Sequence, residues 1–351
     1  MTRVLSGIQP SGDFHVGNYL GAVRRWVEQQ DRVDAYHPIV DLHAMTLPHD
    51  PATLRTATLR LAATLFGAGL DPDRATVFVQ SHVHEHAELA WLLNCVASMG
   101  ELNRMVQWKE KSEGREFVSV ALFDYPVLQA ADILLYQAEQ VPVGEDQRQH
   151  IELTRDVAQR FNHRFGEVFT LPEATVPPAG ARVMDLQLVD RKMSKSLDSP
   201  RGTINLSDRP DEISKKVMAA VTDSGNVIRA APDKPGISNL LDLMSALTGE
   251  EIAALEARYE GKGYGEFKRD VAQALVELLR PVQARIDELN RDLGEVQRLL
   301  AIGADKARAV ASETLRHAKD AVGLVPPEGP SWSDAGRVAA PREGHARAPG
   351  W

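Results

Sequence analysis

An α/β fold, a parallel sheet covered by helices on both faces and followed by an all-helical region, is what this sequence predicts. Two observations carry that prediction. Short apolar runs alternate with segments of helical spacing up to Leu206, and beyond Leu206 the strand signals fade while the helical spacing continues. An open, Rossmann-like sheet of this kind binds its ligands beyond the carboxyl ends of the strands.

The elements follow in order. RVLSGI (3–8) reads as a buried strand, QPSGDFHVG (9–17) as a loop, and NYLGAVRRWVEQQ (18–30) as a helix. YHPIVDLHAMT (36–46) reads as a second strand with a loop, and LRTATLRLAATLFGAGL (54–70) as an amphipathic helix ending at glycine. ATVFVQS (75–81) is a third strand and ELAWLLNCVASMG (88–100) a further helix. Segments 208–221, 237–259 and 264–321 read as helices, with Pro281 a kink or break in the last. The domain reading is therefore 1–206 for the sheet domain, 207–325 for a helical region whose last helix can pack back on the first domain, and 326–351 for a disordered tail rich in Pro, Gly, Ala and Arg.

Bulk composition bounds the function. The 351 residues are 43% hydrophobic and 25% charged, ordinary for a soluble protein. No apolar run approaches the roughly 18 residues of a membrane helix, and the start carries no secretory pattern. The single cysteine, Cys95, excludes an internal disulfide and a Cys-rich zinc site. Its apolar surroundings predict a buried structural thiol, and a cytoplasmic location is the default. A net charge of −9 argues against a generic nucleic-acid coater and leaves room for recognition of one RNA through a local basic patch.

Two segments carry chemistry. Gly7, Gly12, Gly17 and Gly21 surround the first strand-to-helix turn, where a nucleotide could approach the backbone and His15 and Asn18 could donate to phosphate oxygens. No Lys-Ser/Thr pair follows, so this is no Walker loop, and a plain turn with a helix cap fits the spacing equally. The second segment is Lys192-Met193-Ser194-Lys195-Ser196. Two lysines three apart, joined by small hydroxyl residues, suit a mobile loop that follows a phosphate chain and stabilises a leaving pyrophosphate.

Through these two segments the chain resembles the class I aminoacyl-tRNA synthetases in their tryptophanyl, bacterial form. Gln9-Pro10-Ser11-Gly12 with His15-Val16-Gly17-Asn18 resembles the family's first signature, and residues 192–196 its second. The stretches 100–112, 141–162, 220–225, 234–241 and 259–268 are similar to the same enzymes, so the likeness runs from about Val4 to Leu324.

The resemblance implies an ATP site at Gln9, Pro10, Ser11, Gly17, Asn18, Gly144, Glu145 and Asp146, with Asp146 on the ribose hydroxyls and Val183 against adenine. A helix N-cap is the other reading of Asp146, and core packing that of Val183. Lys192, Met193, Ser194, Lys195 and Ser196 would close over the triphosphate, with Lys111 a third cation and His15, Asn18, Lys192 and Lys195 the catalytic group. Asp132, a carboxylate inside the apolar YPVLQAADILLY, would accept the indole N–H of tryptophan; an internal salt bridge or cap is the alternative. Tyr125, Gln147, His43 and Gln9 would orient the amino acid, although a satisfied core histidine fits His43 as well.

Gln129 departs from the tryptophanyl pattern, and Tyr125, Gln129 and Asp132 together resemble the tyrosyl enzymes, which leaves tyrosine as the alternative substrate. The implied reaction is attack of the amino-acid carboxylate on the α-phosphorus of ATP, then transfer to tRNA(Trp). Mg²⁺ would arrive with ATP, with no protein metal cage; the family implies a homodimer, with the helix around Trp91 to Met99 as a candidate interface. The competing classes are a small adenylyltransferase, which would be shorter and lack the second signature, and a non-catalytic paralogue acting as a binding module, which predicts eroded signatures.

Overall fold

The computed structural model describes residues 1–12, 14–144, 147–175, 183–194 and 199–326. Five parallel strands form one sheet: β1 (Arg3–Leu5), β2 (Asp34–Ile39), β3 (Thr76–Val79), β4 (Gln140–Pro142) and β5 (Glu173–Thr175), in the order β3-β2-β1-β4-β5. Val4 pairs with Ala35 on one side and Gln140 on the other. The chain thus winds outward from β1 to β3 and then crosses to the opposite side, so strand order reverses between β1 and β4. That reversal opens the ligand crevice of a doubly wound sheet beyond the carboxyl ends of these two strands. All of β3 and all but the first residue of β2 are buried, as strands covered on both faces must be.

The helices of the first half follow from caps and apolar faces. α1 (Val16–Asn18), a π turn (Tyr19–Val23) and α2 (Arg24–Gln29) form one continuous segment after the opening loop. A short α3 (Asp41–Ala44) ends the segment read as strand plus loop. α4 (Pro51–Gly67) begins with Pro51 at its first position and the Asp50 carboxylate accepting from Thr53 N at 2.7 Å, a regular helix start. α5 (Glu85–Asn94), α6 (Met99–Arg104) and α7 (Val106–Ser112) lead to α8 (Val120–Leu135), and α9 (Arg148–Phe165) follows β4.

Beyond Leu206 the structure is helical: α10 (Pro210–Met218), α11 (Pro235–Thr248), α12 (Ile252–Arg258), α13 (Tyr264–Arg291) and α14 (Leu293–Ala321). Three expectations need correction. α13 runs through Pro281 without a break, and the segment 264–321 divides instead at Asp292, whose carboxylate caps α14 through Glu295 N at 3.0 Å. Cys95 is exposed, not buried, because α5 ends at Asn94 and turns Cys95 to the same side as the exposed Trp91. The 237–259 helix is divided by Gly249, which takes a left-handed φ of 76° and ends α11.

α14 returns to the sheet. A Cβ at Gly303 would lie 1.8 Å from Val77 O, so only glycine lets this helix ride on β3. The apolar core is correspondingly continuous across position 206: Val16, Met193 and Ile204 share one cluster with Leu275 and Val282, and Leu134 and Phe161 share another with Ala311 and Leu315.

Beneath the crevice, His37 is 1% exposed, stacks on Trp26 (4.3 Å, 20°) and has only Ser6 O beside its Nδ1, at 3.3 Å. Burial pushes its pKa down to about 4. In the unfolded chain an imidazole titrates near ~6.5. Between those values the unfolded state binds the extra proton, so the stability owed to neutral His37 is complete above the higher value and is lost as pH falls toward the lower one. The loss is on the order of 3 kcal/mol across that window. His37→Phe keeps a ring on Trp26 and removes the titration. Urea unfolding at pH 7 and pH 4.5 should show a smaller acid-side loss for the variant, and an identical loss in both proteins would exclude this origin.

Candidate active site

The opening loop lies at the carboxyl end of β1. Ile8 extends the pairing with β2 through Ile8 N to Pro38 O and Val40 N to Ile8 O, which carries Gln9, Pro10 and Ser11 past the sheet. Gln9 and Ser11 are exposed and Pro10 is buried, with Ser11 N donating to Gln9 O at 2.9 Å; Gly12 holds a φ of 59°. The helix cap that the spacing allowed is present. Asn18 N donates to His15 Nδ1, and His15 N to Asn18 Oδ1, both at 3.3 Å. This reciprocal cap fixes the His15 ring over Gly17, where a Cβ would meet it at 3.0 Å.

The cationic segment adjoins this turn. Val16 N donates to Ile204 O at 2.9 Å and Leu206 N to Phe14 O at 2.8 Å, so the segment leaving the loop is bridged to the turn entering α1. Met193 is buried, and its Cβ lies 3.7 Å from the place a Gly17 Cβ would take. Val183 is also buried and accepts from Met193 N at 3.0 Å. Lys192 is exposed beside Ser194, with its backbone bridged to Met184. The first and second signatures therefore adjoin, with Met193 beside Gly17. Lys195, Ser196, Glu145 and Asp146 lie outside the described residues.

On the α8 side a polar cluster surrounds Asp132, which is 2% exposed. Its Oδ1 accepts from Gln80 Nε2 at 2.7 Å and pairs with His86 Nδ1 at 2.6 Å; its Oδ2 pairs with His43 Nε2 at 2.8 Å. Burial alone would raise the Asp132 pKa, but the charges and hydrogen bonds of His43 and His86 outweigh it and bring it down to about 2. A carboxylate offers about four acceptor positions, and three are engaged here, so Oδ2 can take one further donor. The internal pairing left open by the sequence is thus realised, and it includes His43.

Tyr125 stands two turns earlier on α8. Its hydroxyl pairs with His150 Nε2 of α9 at 2.8 Å, its ring meets the edge of His43 at 6.2 Å, and Lys111 Nζ lies 5.2 Å from its centroid. Lys111 is therefore placed on the Tyr125 side of the crevice. Burial lifts the Tyr125 pKa to about 12, which keeps the phenol a neutral donor. Gln129, half-buried, falls on the same helix between Tyr125 and Asp132. Gln147 caps α9, its N–H donating to Gly144 O at 3.0 Å at the carboxyl end of β4.

Sequence reasoning missed Gln80, His86 and Tyr136. His86 Nε2 pairs with the Tyr136 hydroxyl at 2.8 Å, so His86 bridges Asp132 and Tyr136 inside the core. The signal available for Gln80 was its place directly after β3, where an open α/β sheet presents its site residues. Among the described residues no group of three or more His, Cys, Asp or Glu is placed to hold a metal ion. No helix among them is long and apolar enough to cross a membrane.

Comparison with known proteins agrees with this arrangement. The family described as tRNA synthetases class I (W and Y) matches residues 1–280. Tryptophan–tRNA ligase 2 of Streptomyces avermitilis is 57% identical over 328 residues, 92% of this chain and 97% of that protein. Tryptophan–tRNA ligase of Caldanaerobacter subterraneus is 53% identical, covering 93% and 99%. Among solved structures, tryptophanyl-tRNA synthetase of Campylobacter jejuni complexed with ADP and tryptophan superposes with a TM-score of 0.80 at 36% identity, covering 92% of this chain and all of that one.

Proposed function

This chain belongs to the class I tRNA synthetases of the tryptophan and tyrosine family, and from that premise we propose how its residues divide the work. The reaction is ATP-dependent activation of L-tryptophan to tryptophanyl-adenylate, with release of pyrophosphate, followed by transfer of the tryptophanyl group to tRNA. In our reading Gln9, Pro10, Ser11, Gly17, Asn18 and Gly144, with Glu145 and Asp146, hold the nucleotide, and Val183 packs against adenine. Lys192, Met193 and Ser194, with Lys195 and Ser196, close on the triphosphate. His15, Asn18 and the two lysines stabilise charge on the phosphates, and Lys111 adds a cation from the Tyr125 side. Mg²⁺ enters with ATP as part of the substrate.

The observation that carries the assignment is the close approach of the two signatures, with Met193 against Gly17. Asp132 Oδ2 accepts the indole N–H, and Tyr125, Gln129, Gln147, His43 and Gln9 orient the rest of the amino acid. Residues 207–325 read the anticodon and residues 1–206 carry catalysis, with 326–351 a tail. A homodimer is supported by the apolar side chains exposed on α5 to α8: Trp91 (71% exposed), Met99 (67%) and Val120 (81%). The cytoplasm, where tRNA is charged, is the proposed location.

Gln129 keeps a tyrosyl specificity as the second reading. The test is amino-acid-dependent exchange of labelled pyrophosphate into ATP. Tryptophan should support exchange, and tyrosine at the same concentration should give at most about 1% of that rate, as expected of a site built around an indole donor. Exchange with tyrosine at or above the tryptophan rate would overturn the specificity, and exchange with neither would restore the non-catalytic reading.

A further inference from the structure

Asp185 stands at the root of the lysine-bearing loop, and the mechanism above gives it no part. Its side chain is fully buried. Oδ1 accepts three hydrogen bonds: from Gln187 N and Leu188 N at 2.8 Å each, and from Ser199 Oγ at 3.0 Å. The first two donors belong to the turn that leads into the loop, and the third to the arm that leaves it. One carboxylate oxygen therefore ties both arms together. Backbone pairs close the same frame, with Asp185 N on Arg191 O, Leu186 N on Gly202 O and Met193 N on Val183 O, at 2.8–3.0 Å. Gly202 is pressed so closely that a Cβ there would sit 1.8 Å from Asp185 Oδ1.

The frame is also fixed from the helical half. The Asn239 side-chain amide pairs with both backbone groups of Met184, accepting from its N–H at 2.9 Å and donating to its carbonyl at 3.1 Å. Met184 is the residue bridged to Lys192.

Asp185 Oδ2 is buried and has no hydrogen-bond partner. A buried polar atom left unsatisfied costs free energy, so a residue retained for stability alone would not carry it. The gain lies in the other oxygen. A carboxylate accepts stronger hydrogen bonds than an amide, roughly twofold so, and three of them converge here.

We infer that Asp185 is a positioning residue for adenylate formation: it clasps the two arms of the loop so that Lys192 meets the triphosphate in register. This rests on the reading that the loop acts on ATP. A displacement of about 1 Å in such a group can cost 10²-fold in rate.

The test uses the full-length enzyme and the variants Asp185→Asn, Gly202→Ala and Lys192→Ala, with pyrophosphate exchange and thermal unfolding as readouts. Asp185→Asn preserves the shape of the acceptor and removes its charge, and Gly202→Ala displaces it from the other side. Both should lower kcat by about 10–100-fold with the KM for tryptophan within about twofold. Asp185→Asn should unfold at a temperature equal to or above that of the wild type. A kcat per folded enzyme within twofold of wild type for both variants overturns the inference, whatever their unfolding temperatures, provided Lys192→Ala is slow. If Lys192→Ala is itself unimpaired, the reading of the loop fails first and takes the inference with it. Should Asp185→Asn fail to fold, Gly202→Ala decides alone on the same split.

Discussion

Asp132→Asn should lower kcat/KM for tryptophan by about 10²–10³-fold and leave the KM for ATP within about twofold. The carboxylate is buried and accepts on both oxygens, from Gln80 and His86 on one and from His43 on the other. Asparagine has a single acceptor oxygen. If it stays toward Gln80 and His86, its NH₂ faces His43 and the proposed indole position, and a donor then meets a donor. If it turns the other way, the NH₂ faces Gln80 and His86 instead. Either orientation leaves a buried group mispaired when the indole N–H arrives, and the expected factor corresponds to roughly 3–4 kcal/mol. The nucleotide loops make none of these contacts, so ATP should be little affected.

A second readout isolates the hydrogen bond. A tryptophan analogue with sulfur in place of the indole N–H should be rejected strongly by the wild type and much less by the variant, because only the wild type loses a satisfied acceptor. An unchanged kcat/KM for tryptophan, or the same selectivity against the analogue in both proteins, would remove Asp132 from recognition and leave it as a structural anchor. The low pKa, about 2, has its own consequence. An unfolded aspartate titrates near ~3.9, so the stabilisation from the paired carboxylate is present above that value and is lost only as pH falls through the folded value. Tryptophan recognition should therefore show no ionisation of Asp132 in the range where the enzyme stays folded.

The parts of this site that could be read in the sequence are those whose cause is local. β2 and β3 announce themselves because each is covered on both faces, and β1 through the apolar run that continues past Leu5 to Ile8. β4 and β5 do not: QVP and EAT are three residues each, and Gln140 and Glu173 are exposed. Asp132 stood out because a carboxylate within an apolar helix demands partners, but the sequence could not say which. Gln80 and His86 are 52 and 46 residues away in the chain and arrive only because β3 ends beside α8. Cys95 misled for the opposite reason. An apolar stretch reads as buried, yet the helix ends at Asn94, and an exposed edge holds Trp91 and Cys95 together. Pro281 does not break the helix, since α13 carries it within 28 residues. The junction at Asp292 was visible only as a capping residue. The clasp of the lysine loop by Asp185 and Asn239 was not legible, because both side chains bond mainly to backbone groups, Asn239 across 55 residues, and such partners leave no side-chain pattern.

Lys192→Ala should slow adenylate formation by about 10²–10³-fold in single-turnover measurements while tryptophan affinity stays within about twofold. The backbone at this position is held by groups other than the lysine side chain. Lys192 is bridged to Met184, and Met193 is buried against the Gly17 turn. Truncation should therefore leave the loop anchored and remove only an exposed ammonium. Among the described residues that ammonium has no ion-pair or hydrogen-bond partner, so in the proposed mechanism its contribution belongs to the step in which pyrophosphate departs and negative charge grows on the phosphates. An interaction made only then lowers kcat and kcat/KM together. Lys192→Arg supplies the control. It keeps the charge but replaces a compact point charge with a planar fork, and should recover part of the rate. Loss in the arginine variant equal to that in the alanine variant would mean that shape, not charge, is what the position contributes. An unchanged single-turnover rate in Lys192→Ala would take the residue out of the chemistry altogether, and the proposed ATP site would then have to work without it.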